Sequence, residues 1–157
     1  DVHHLPFAAA SFDLVTCRRA AHHFSNLGQS LAEMRRVLRP GGRLVIDDRS
    51  VPEDDFLDAC MNELDYYHDE SHLREYRPSQ WGRMLEGLGF VVEEMEPYIQ
   101  HRPLTSLTEG ASPDNVQKIH DVLGRLDASQ REALNLVEVN GMPYFNHWYV
   151  VLSARKG

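Results

Sequence analysis

Short β-rich runs alternate with helix-like segments along this 157-residue chain. Residues 12–17 follow a polar turn and are typical of a buried strand. Apolar residues then recur at three- and four-residue steps, which predicts an amphipathic helix: Leu27, Leu31, Met34 and Leu38. Residues 43–47 are nearly all apolar and predict a second strand, covered on both faces. Strands that alternate with helices favour an α/β layered sheet.

Polar residues and proline mark where these elements begin and end. Residues 25–26 offer an N-cap for the first helix, which must end before Pro40, because proline disfavours the helical state in the preceding residue. Further helices are predicted over residues 53–69 and from Ser79 onward. Residues 90–95 predict a third strand, which is less apolar and therefore nearer an edge of the sheet.

The last third of the chain predicts a helical insertion and a closing hairpin. The composition of residues 97–111 permits a turn and a short helix. Ser112 is a good N-cap because proline follows it, and residues 127–130 have capping-box spacing. Residues 136–139 and 144–154 flank an Asn-Gly turn and predict two antiparallel strands. The sheet is therefore expected to be mostly parallel, with an antiparallel closing hairpin.

Charge, hydropathy and cysteine content indicate which partners and which cellular compartment to expect. With 24 acidic against 16 basic residues, the chain lacks the clustered basic face that nucleic-acid binding needs. No apolar run approaches the roughly 18 residues of a membrane helix, so no membrane partner is expected. Cys17 and Cys60 are two isolated thiols, which favours a reducing, cytoplasmic compartment.

Three closely spaced segments carry a family resemblance. The first is residues 1–7, which end in Leu-Pro-Phe, with the Phe-Asp strand start at residues 11–15. The second is residues 17–24, and the third is residues 37–46, which contain Leu-Arg-Pro-Gly-Gly. Together they resemble the class I S-adenosylmethionine-dependent methyltransferases, in particular the ubiquinone/menaquinone biosynthesis enzymes.

The resemblance implies that residues 1–157 are the C-terminal portion of one methyltransferase domain, within a Rossmann-like doubly wound sheet. The family's glycine-rich turn and its ribose-binding acidic residue have no match in this sequence. We therefore expect the glycine-rich N-terminal half to be absent, and the missing initial Met suggests either a fragment or a cleaved product. The implied reaction is methyl transfer from S-adenosyl-L-methionine to a small-molecule acceptor, with the N-terminal half required. Cofactor binding is expected to be weak or absent if the chain is truly truncated.

Residues of the three matching segments take roles that the resemblance implies. Asp1 corresponds to the acidic residue that binds the adenine amino group, with the Val2 backbone beside it. Cys17 and Arg18 correspond to backbone contacts with the cofactor. His22 and His23 lie in the loop that faces the methyl group, where an imidazole could orient or deprotonate the acceptor. The alternative for Cys17 is a small buried residue, and for a histidine it is packing and helix capping.

Other polar and aromatic residues give weaker hypotheses. A possible acceptor wall comprises residues of the region that covers the acceptor in related enzymes: Arg49, Tyr66, Tyr67, Arg74 and Tyr76. Taken singly, each is better explained by core or surface packing. His68 and His72 have the spacing of a zinc-binding pair, but a third ligand is not evident, and a solvated helix end is favoured. No metal is therefore expected.

A second class of function remains open alongside the enzyme. A methyltransferase-fold remnant without catalysis could act as an interaction or oligomerisation module. Removal of half a sheet leaves strand edges and helix faces uncovered, and such surfaces tend to find partners. This alternative predicts a homodimer through those surfaces and no cofactor binding.

Overall fold

Five strands form one sheet in the computed structural model, which describes residues 1–157. The strands are β1 (Phe12–Arg18), β2 (Leu38–Ser50), β3 (Phe90–Pro103), β4 (Val137–Val139) and β5 (Met142–Lys156). The α-helices are α1 (Leu27–Val37), α2 (Asp55–His68), α3 (Pro78–Gly87), α4 (Thr105–Thr108), α5 (Pro113–Gly124) and α6 (Ala128–Ala133). A short 3-10 turn, Ala21–His23, follows β1.

The sheet has the order β1-β2-β5-β3, and β4 also pairs with β5. β1 pairs with β2 in parallel, whereas β2, β3 and β4 each pair with β5 in an antiparallel manner. Four strands therefore run in one direction, and β5 alone runs against them. The predicted α/β class is confirmed, with a mostly parallel set of strands and an antiparallel closing hairpin.

Side-chain hydrogen bonds cap the N-termini of four helices, close to the positions where the sequence predicts that helices begin. Asn26 Oδ1 accepts a hydrogen bond from the Gln29 backbone N–H at 3.0 Å and begins α1. Asp54 caps α2 and Ser112 caps α5 in the same way. Asp127 begins α6 with a capping box. Each cap satisfies backbone donors that the first helical turn leaves without partners.

Two strands are longer than the sequence indicates. β2 begins at Leu38, directly after α1, and β3 continues through Pro103. Within residues 97–111, α4 is the expected short helix, but the residues before it extend β3, which the sequence did not indicate. The physical reason is the length of β5: its pairing with β3 extends from Phe90 to Pro103. Long-range backbone hydrogen bonds thus hold a polar segment extended.

Two apolar clusters pack against the sheet. The first lies between α1, α3 and the central strands and includes Leu31, Leu44 and Trp81. The second joins α2, α4 and α5 to the start of β5. Ile119 of α5 and Phe145 of β5 are fully buried in it. None of the helices has the length and apolar character that crossing a membrane requires.

Gly42 allows the chain to enter β2 in close contact with its neighbours. An added Cβ would lie 3.0 Å from the Arg39 carbonyl oxygen and 3.1 Å from that of Asp13. Gly42→Ala is expected to lower the free energy of unfolding by about 1–3 kcal/mol, the usual cost of overpacking. Gly87→Ala is the matched control, since nothing lies within 4 Å of its added Cβ. Urea denaturation measures both, and equal effects would contradict the prediction.

Candidate functional site

The carboxyl ends of β1 and β2 lie side by side, because these strands pair in parallel. Arg18 ends β1 opposite Asp47 of β2. Ligands of open α/β sheets bind outside such carboxyl ends. The chain turns sharply after β1 at Arg19, whose φ of +49° is uncommon for a residue with a Cβ. This turn places His22 and His23 beside β2.

Asp48 of β2 anchors this turn. Its side chain is buried and accepts hydrogen bonds from the backbone N–H groups of Ala21 at 2.6 Å, Arg49 at 2.7 Å and Ala20 at 3.2 Å. His22 Nδ1 hydrogen-bonds to the same carboxylate. Burial acts to raise the pKa of Asp48, but the hydrogen bonds from His22 and from the backbone N–H groups hold that pKa below its usual value. An ionised Asp48 therefore fixes the orientation of the His22 ring.

Three histidine rings meet beside this carboxylate. The centroid of the His22 ring lies 4.0 Å from that of His23 and 5.8 Å from that of His72. Burial lowers the pKa of His72 to about 4, and its Nε2 lies 3.1 Å from Asn62 Oδ1. His23 Nδ1 lies 3.1 Å from Ser71 Oγ. No group of three His, Cys, Asp or Glu side chains is arranged to hold a metal ion.

A cavity of about 580 Å³ opens beside these histidines, and we call it the polar pocket. None of its eleven lining residues is hydrophobic. They are four arginines, four histidines, two aspartates and one glutamine: Arg18, Arg19, His22, His23, Arg49, Asp65, His68, Asp69, His72, Gln100 and Arg102. Such a lining suits a polar ligand that accepts several hydrogen bonds.

Arg19, Arg102, Tyr98 and Tyr149 form one structural unit that we call the arginine–tyrosine wall. The Arg19 guanidinium lies 3.8 Å from the ring centroid of the buried Tyr149, and Arg102 Nη1 donates to Tyr149 Oη at 3.3 Å. Tyr98 stacks on Tyr149 with the centroids 5.1 Å apart, and its hydroxyl accepts from Arg19 Nη2 at 2.7 Å. The hydroxyl of Tyr98 also donates to Asp47 Oδ1 at 2.9 Å. The pairing of β3 with β5 sets the two tyrosines opposite each other.

Arg49 joins the polar pocket to a buried ion cluster with Asp65 and Glu75. Its Nη2 donates to Asp65 and its Nε to Glu75, and Nη2 also lies 3.3 Å from His147 Nδ1. Burial and the Asp65 charge raise the pKa of Glu75 well above its usual value. The Arg49 charge lowers the pKa of Asp65 despite its complete burial. Two carboxyl groups thus share one guanidinium.

A second cavity of about 400 Å³ runs along β1, and we call it the apolar cleft. Eleven of its thirteen lining residues are hydrophobic: Val2, Leu5, Phe7, Phe12, Leu14, Val15, Cys17, Ala20, Phe24, Met34 and Val37. Arg18 lines both the apolar cleft and the polar pocket. The two cavities therefore adjoin at the carboxyl end of β1.

The residues with implied cofactor contacts gather around this cleft with one exception. Val2, Cys17 and Arg18 line it, whereas the carboxylate of Asp1 accepts from the His3 backbone N–H at 2.9 Å and lies outside the lining. Burial, aided by the Asp48 charge, raises the pKa of Cys17 to about 12, so this thiol is not a nucleophile. The Arg18 side chain forms an ion pair with Asp47 at 2.9 Å.

Of the residues predicted for an acceptor wall, the structure brings Arg49 alone to the polar pocket. Tyr66 is exposed on α2, and Tyr67 packs against the second apolar cluster. Arg74 forms an ion pair with Asp58, and Tyr76 packs edge-on against Trp81. His68 and His72 both line the pocket, and His68 Nδ1 lies 2.9 Å from the Leu107 carbonyl oxygen.

Sequence reasoning missed Asp48 and all four residues of the arginine–tyrosine wall. Asp48 had a signal, since it follows an apolar strand at the carboxyl end of the sheet, where ligands bind. Arg102 and Tyr98 had none, because they lie within residues 97–111, for which the sequence permits a turn and a short helix and predicts no strand. Tyr149 fell within a predicted strand, but no local pattern separates a pocket tyrosine from a core tyrosine.

Comparison with known proteins identifies a family and several proteins that this chain resembles. The family described as "Methyltransferase domain" matches residues 1–46. The chain is 39% identical over 94 residues to the "Uncharacterized methyltransferase YcgJ" of Bacillus subtilis, a match that covers 60% of this chain and 37% of that protein. It is 54% identical over 46 residues to the demethylmenaquinone methyltransferase of Deinococcus radiodurans, of which it covers 19%. The chain thus spans well under half the length of these curated relatives.

Two solved structures are similar over almost the whole chain. A Bacillus halodurans protein assigned as a methyltransferase is 31% identical, with a TM-score of 0.93, and the match covers 99% of this chain and 75% of that one. The structure of Bacillus subtilis YcgJ is 30% identical, with a TM-score of 0.90, and 68% of it is covered. Both relatives therefore share the sheet and the helical insertion with this chain.

Proposed function

Because the chain belongs to the class I S-adenosylmethionine-dependent methyltransferases, we propose that it takes part in methyl transfer to a small-molecule acceptor bound in the polar pocket. One observation carries this proposal: the apolar cleft and the polar pocket adjoin at Arg18. A cofactor that lies in the cleft can then meet an acceptor in the pocket without either leaving its own cavity. When bound, S-adenosylmethionine supplies an activated sulfonium methyl group.

The residues present fit one end of this cofactor. The apolar cleft can cover a purine ring, with Val2, Leu14 and Phe24 among its lining residues. The ribose and methionine parts have no counterpart among residues 1–157, because no glycine-rich turn or ribose-binding acidic residue is present. We propose that this chain is the C-terminal portion of the domain and that tight cofactor binding requires the N-terminal half.

His22 is the residue best placed to accept a proton from the acceptor. Its Nδ1 faces the ionised Asp48, so the ring proton lies on Nδ1 and the lone pair on Nε2. Nε2 has no hydrogen-bond partner within the chain, and His22 lines the polar pocket. We assign His22 as the general base and Asp48 as the positioning residue that keeps it in the active tautomer.

His23 has a lesser role in this proposal. Its Nδ1 contacts Ser71 Oγ at 3.1 Å, and its Nε2 lies 4.0 Å from Asp69. Both partners are exposed, so they fix the His23 ring less firmly than Asp48 fixes His22. We propose that His23 orients the acceptor by hydrogen bonding and does not remove its proton.

The edge of the sheet supports a second candidate, an interaction module. β1 has a partner on one side only, and Leu14 exposes 54% of its surface beside the apolar cleft. Exposed strand edges with apolar side chains tend to pair with other chains. In this alternative, a second copy of the chain would cover β1, and the chain would form a homodimer without binding cofactor.

One experiment separates the two candidates. S-adenosylhomocysteine is titrated into the protein while amide NMR shifts are followed, and light scattering measures the mass of the same sample. The enzyme proposal predicts weak but saturable shifts, because residues 1–157 contact only the adenine end of the cofactor, and these shifts should be confined to the apolar cleft around Thr16 and Ala20. Homocysteine is the control that lacks the adenosine. A dimer without such shifts would overturn it and favour the interaction module.

A further inference from the structure

We propose that the polar pocket selects an acceptor that carries a carboxylate or phosphate group, and that Arg102 and Arg19 bind this oxyanion. The inference rests on the proposed function, since it names the chemical class of the acceptor for that same pocket. It begins from the charges of the lining residues, because not all of the pocket's arginines are available to a ligand.

Two of the four arginines are already neutralised within the chain. Arg18 forms an ion pair with Asp47 at 2.9 Å. Arg49 is held by Asp65 and Glu75 in the buried ion cluster. These guanidinium groups have carboxylate partners and would gain little from another anion.

Arg102 is different, since no carboxylate lies within 4 Å of its guanidinium. Its one hydrogen bond within the chain is Nη1 to Tyr149 Oη, at 3.3 Å. An arginine has five N–H donors, so most of those on Arg102 remain for a ligand. The side chain is half-buried, which reduces the screening of its charge by solvent.

Arg19 supplies a second, partly satisfied cation on the same wall. Its guanidinium lies on the Tyr149 ring at 3.8 Å and donates to Tyr98 Oη at 2.7 Å. Asp47 is 3.7 Å away but is already bonded to Arg18 and Tyr98. The buried Tyr149 contacts both Arg19 and Arg102 and so fixes them near each other. A pair of pre-positioned guanidinium groups is the arrangement that binds oxyanions most specifically.

The remaining lining residues agree with a polar, charged acceptor. No hydrophobic side chain lines the pocket, so an isoprenoid or purely aromatic acceptor would gain nothing from burial there. Gln100 adds an uncharged hydrogen-bonding side chain. The one carboxylate outside the buried ion cluster is Asp69, which is exposed and accepts from Ser71. The oxyanion is therefore expected on the arginine–tyrosine wall and the reacting group toward His22.

The test is a titration of the intact chain with inorganic phosphate and, separately, with malonate, followed by amide NMR shifts. Saturable shifts at Arg19, Arg102 and Tyr149 are expected with one or both anions, and the tighter ligand tells a phosphorylated acceptor from a carboxylated one. Arg102→Gln should weaken binding about ten-fold or more, as expected when a charge-assisted hydrogen bond is lost. Arg102→Lys, which keeps the charge, should weaken it less.

Arg83→Gln is the matched control, because Arg83 is exposed on α3 and does not line the pocket. Absence of saturable shifts with both anions would overturn the inference, as would equal affinity of the wild type and the folded Arg102→Gln variant. The result is independent of the S-adenosylhomocysteine titration. Anion binding without cofactor-cleft shifts would reject the proposed function alone, and cofactor-cleft shifts without anion binding would reject this inference alone.

Discussion

His22→Gln is expected to lower the rate of methyl transfer in the complete domain by about 10²–10⁴-fold, the usual contribution of a general base. Glutamine can still hydrogen-bond to Asp48, but it cannot accept a proton. The measurement is the initial rate of S-adenosylhomocysteine formation, followed by mass spectrometry with a panel of phosphorylated and carboxylated acceptors. The loss should appear in kcat, because His22 binds neither the proposed oxyanion nor the cofactor.

Two further variants test whether the loss of rate is specific to His22 and to its hydrogen bond with Asp48. His120→Gln changes an exposed histidine on α5, outside the polar pocket, and should leave the rate unchanged. Asp48→Asn should lower the rate as well, because asparagine can stabilise the tautomer with its proton on Nε2, which cannot act as a base. A His22→Gln protein as fast as the wild type would show that positioning alone drives the reaction.

Arg49→Met is expected to lower the free energy of unfolding by about 3–5 kcal/mol, because it leaves buried carboxyl groups without their cation. Asp65 and Glu75 are almost fully inaccessible to solvent and both bond to Arg49. Methionine has a similar length, so lost volume contributes little. Urea denaturation at neutral pH, followed by circular dichroism, gives the free energy.

Replacing the two carboxyl groups with neutral amides should restore most of the lost free energy of unfolding. The triple variant Arg49→Met, Asp65→Asn, Glu75→Gln removes all three charges together and should recover much of the stability. Glu75→Gln alone should be stable at neutral pH, since burial already raises the pKa of Glu75 and disfavours its charged form. With a raised folded-state pKa, the wild type loses stability as pH rises, and Glu75→Gln should lose less. Equal pH dependence of the two would contradict this assignment.

The elements that the sequence predicts well are those specified by neighbours in the chain. Asn26, Asp54 and Ser112 cap their helices through hydrogen bonds that span three residues, so a short window contains the whole signal. The second half of β3 is the opposite case. Residues 97–103 are extended because β5, more than forty residues later in the sequence, pairs with them. A local pattern cannot contain that information.

The candidate site likewise combines residues that a local sequence pattern positions with residues that only long-range strand pairing brings together. Arg18 ends β1 and His22 follows shortly after it, so their position at the carboxyl end of the sheet follows from a local strand-to-loop step. The arginine–tyrosine wall instead combines Arg19 after β1, Arg102 near the end of β3, and Tyr149 in the middle of β5. Its members come together only through three different strand pairings, β1 with β2, β2 with β5 and β3 with β5, and each residue alone is an ordinary surface or core residue.

β5 is the last strand along the chain, yet β2, β3 and β4 all pair with it. During synthesis on the ribosome, β1, β2 and β3 therefore leave the exit tunnel before β5, the strand that joins β2 to β3, has been made. Until Tyr149 leaves the exit tunnel, nothing joins Arg102 to Arg19. Pairing over such distances is slow and exposes strand edges to other nascent chains. β5 both completes the arginine–tyrosine wall and pairs with these strand edges, so the proposed anion-binding site and the sheet should form together.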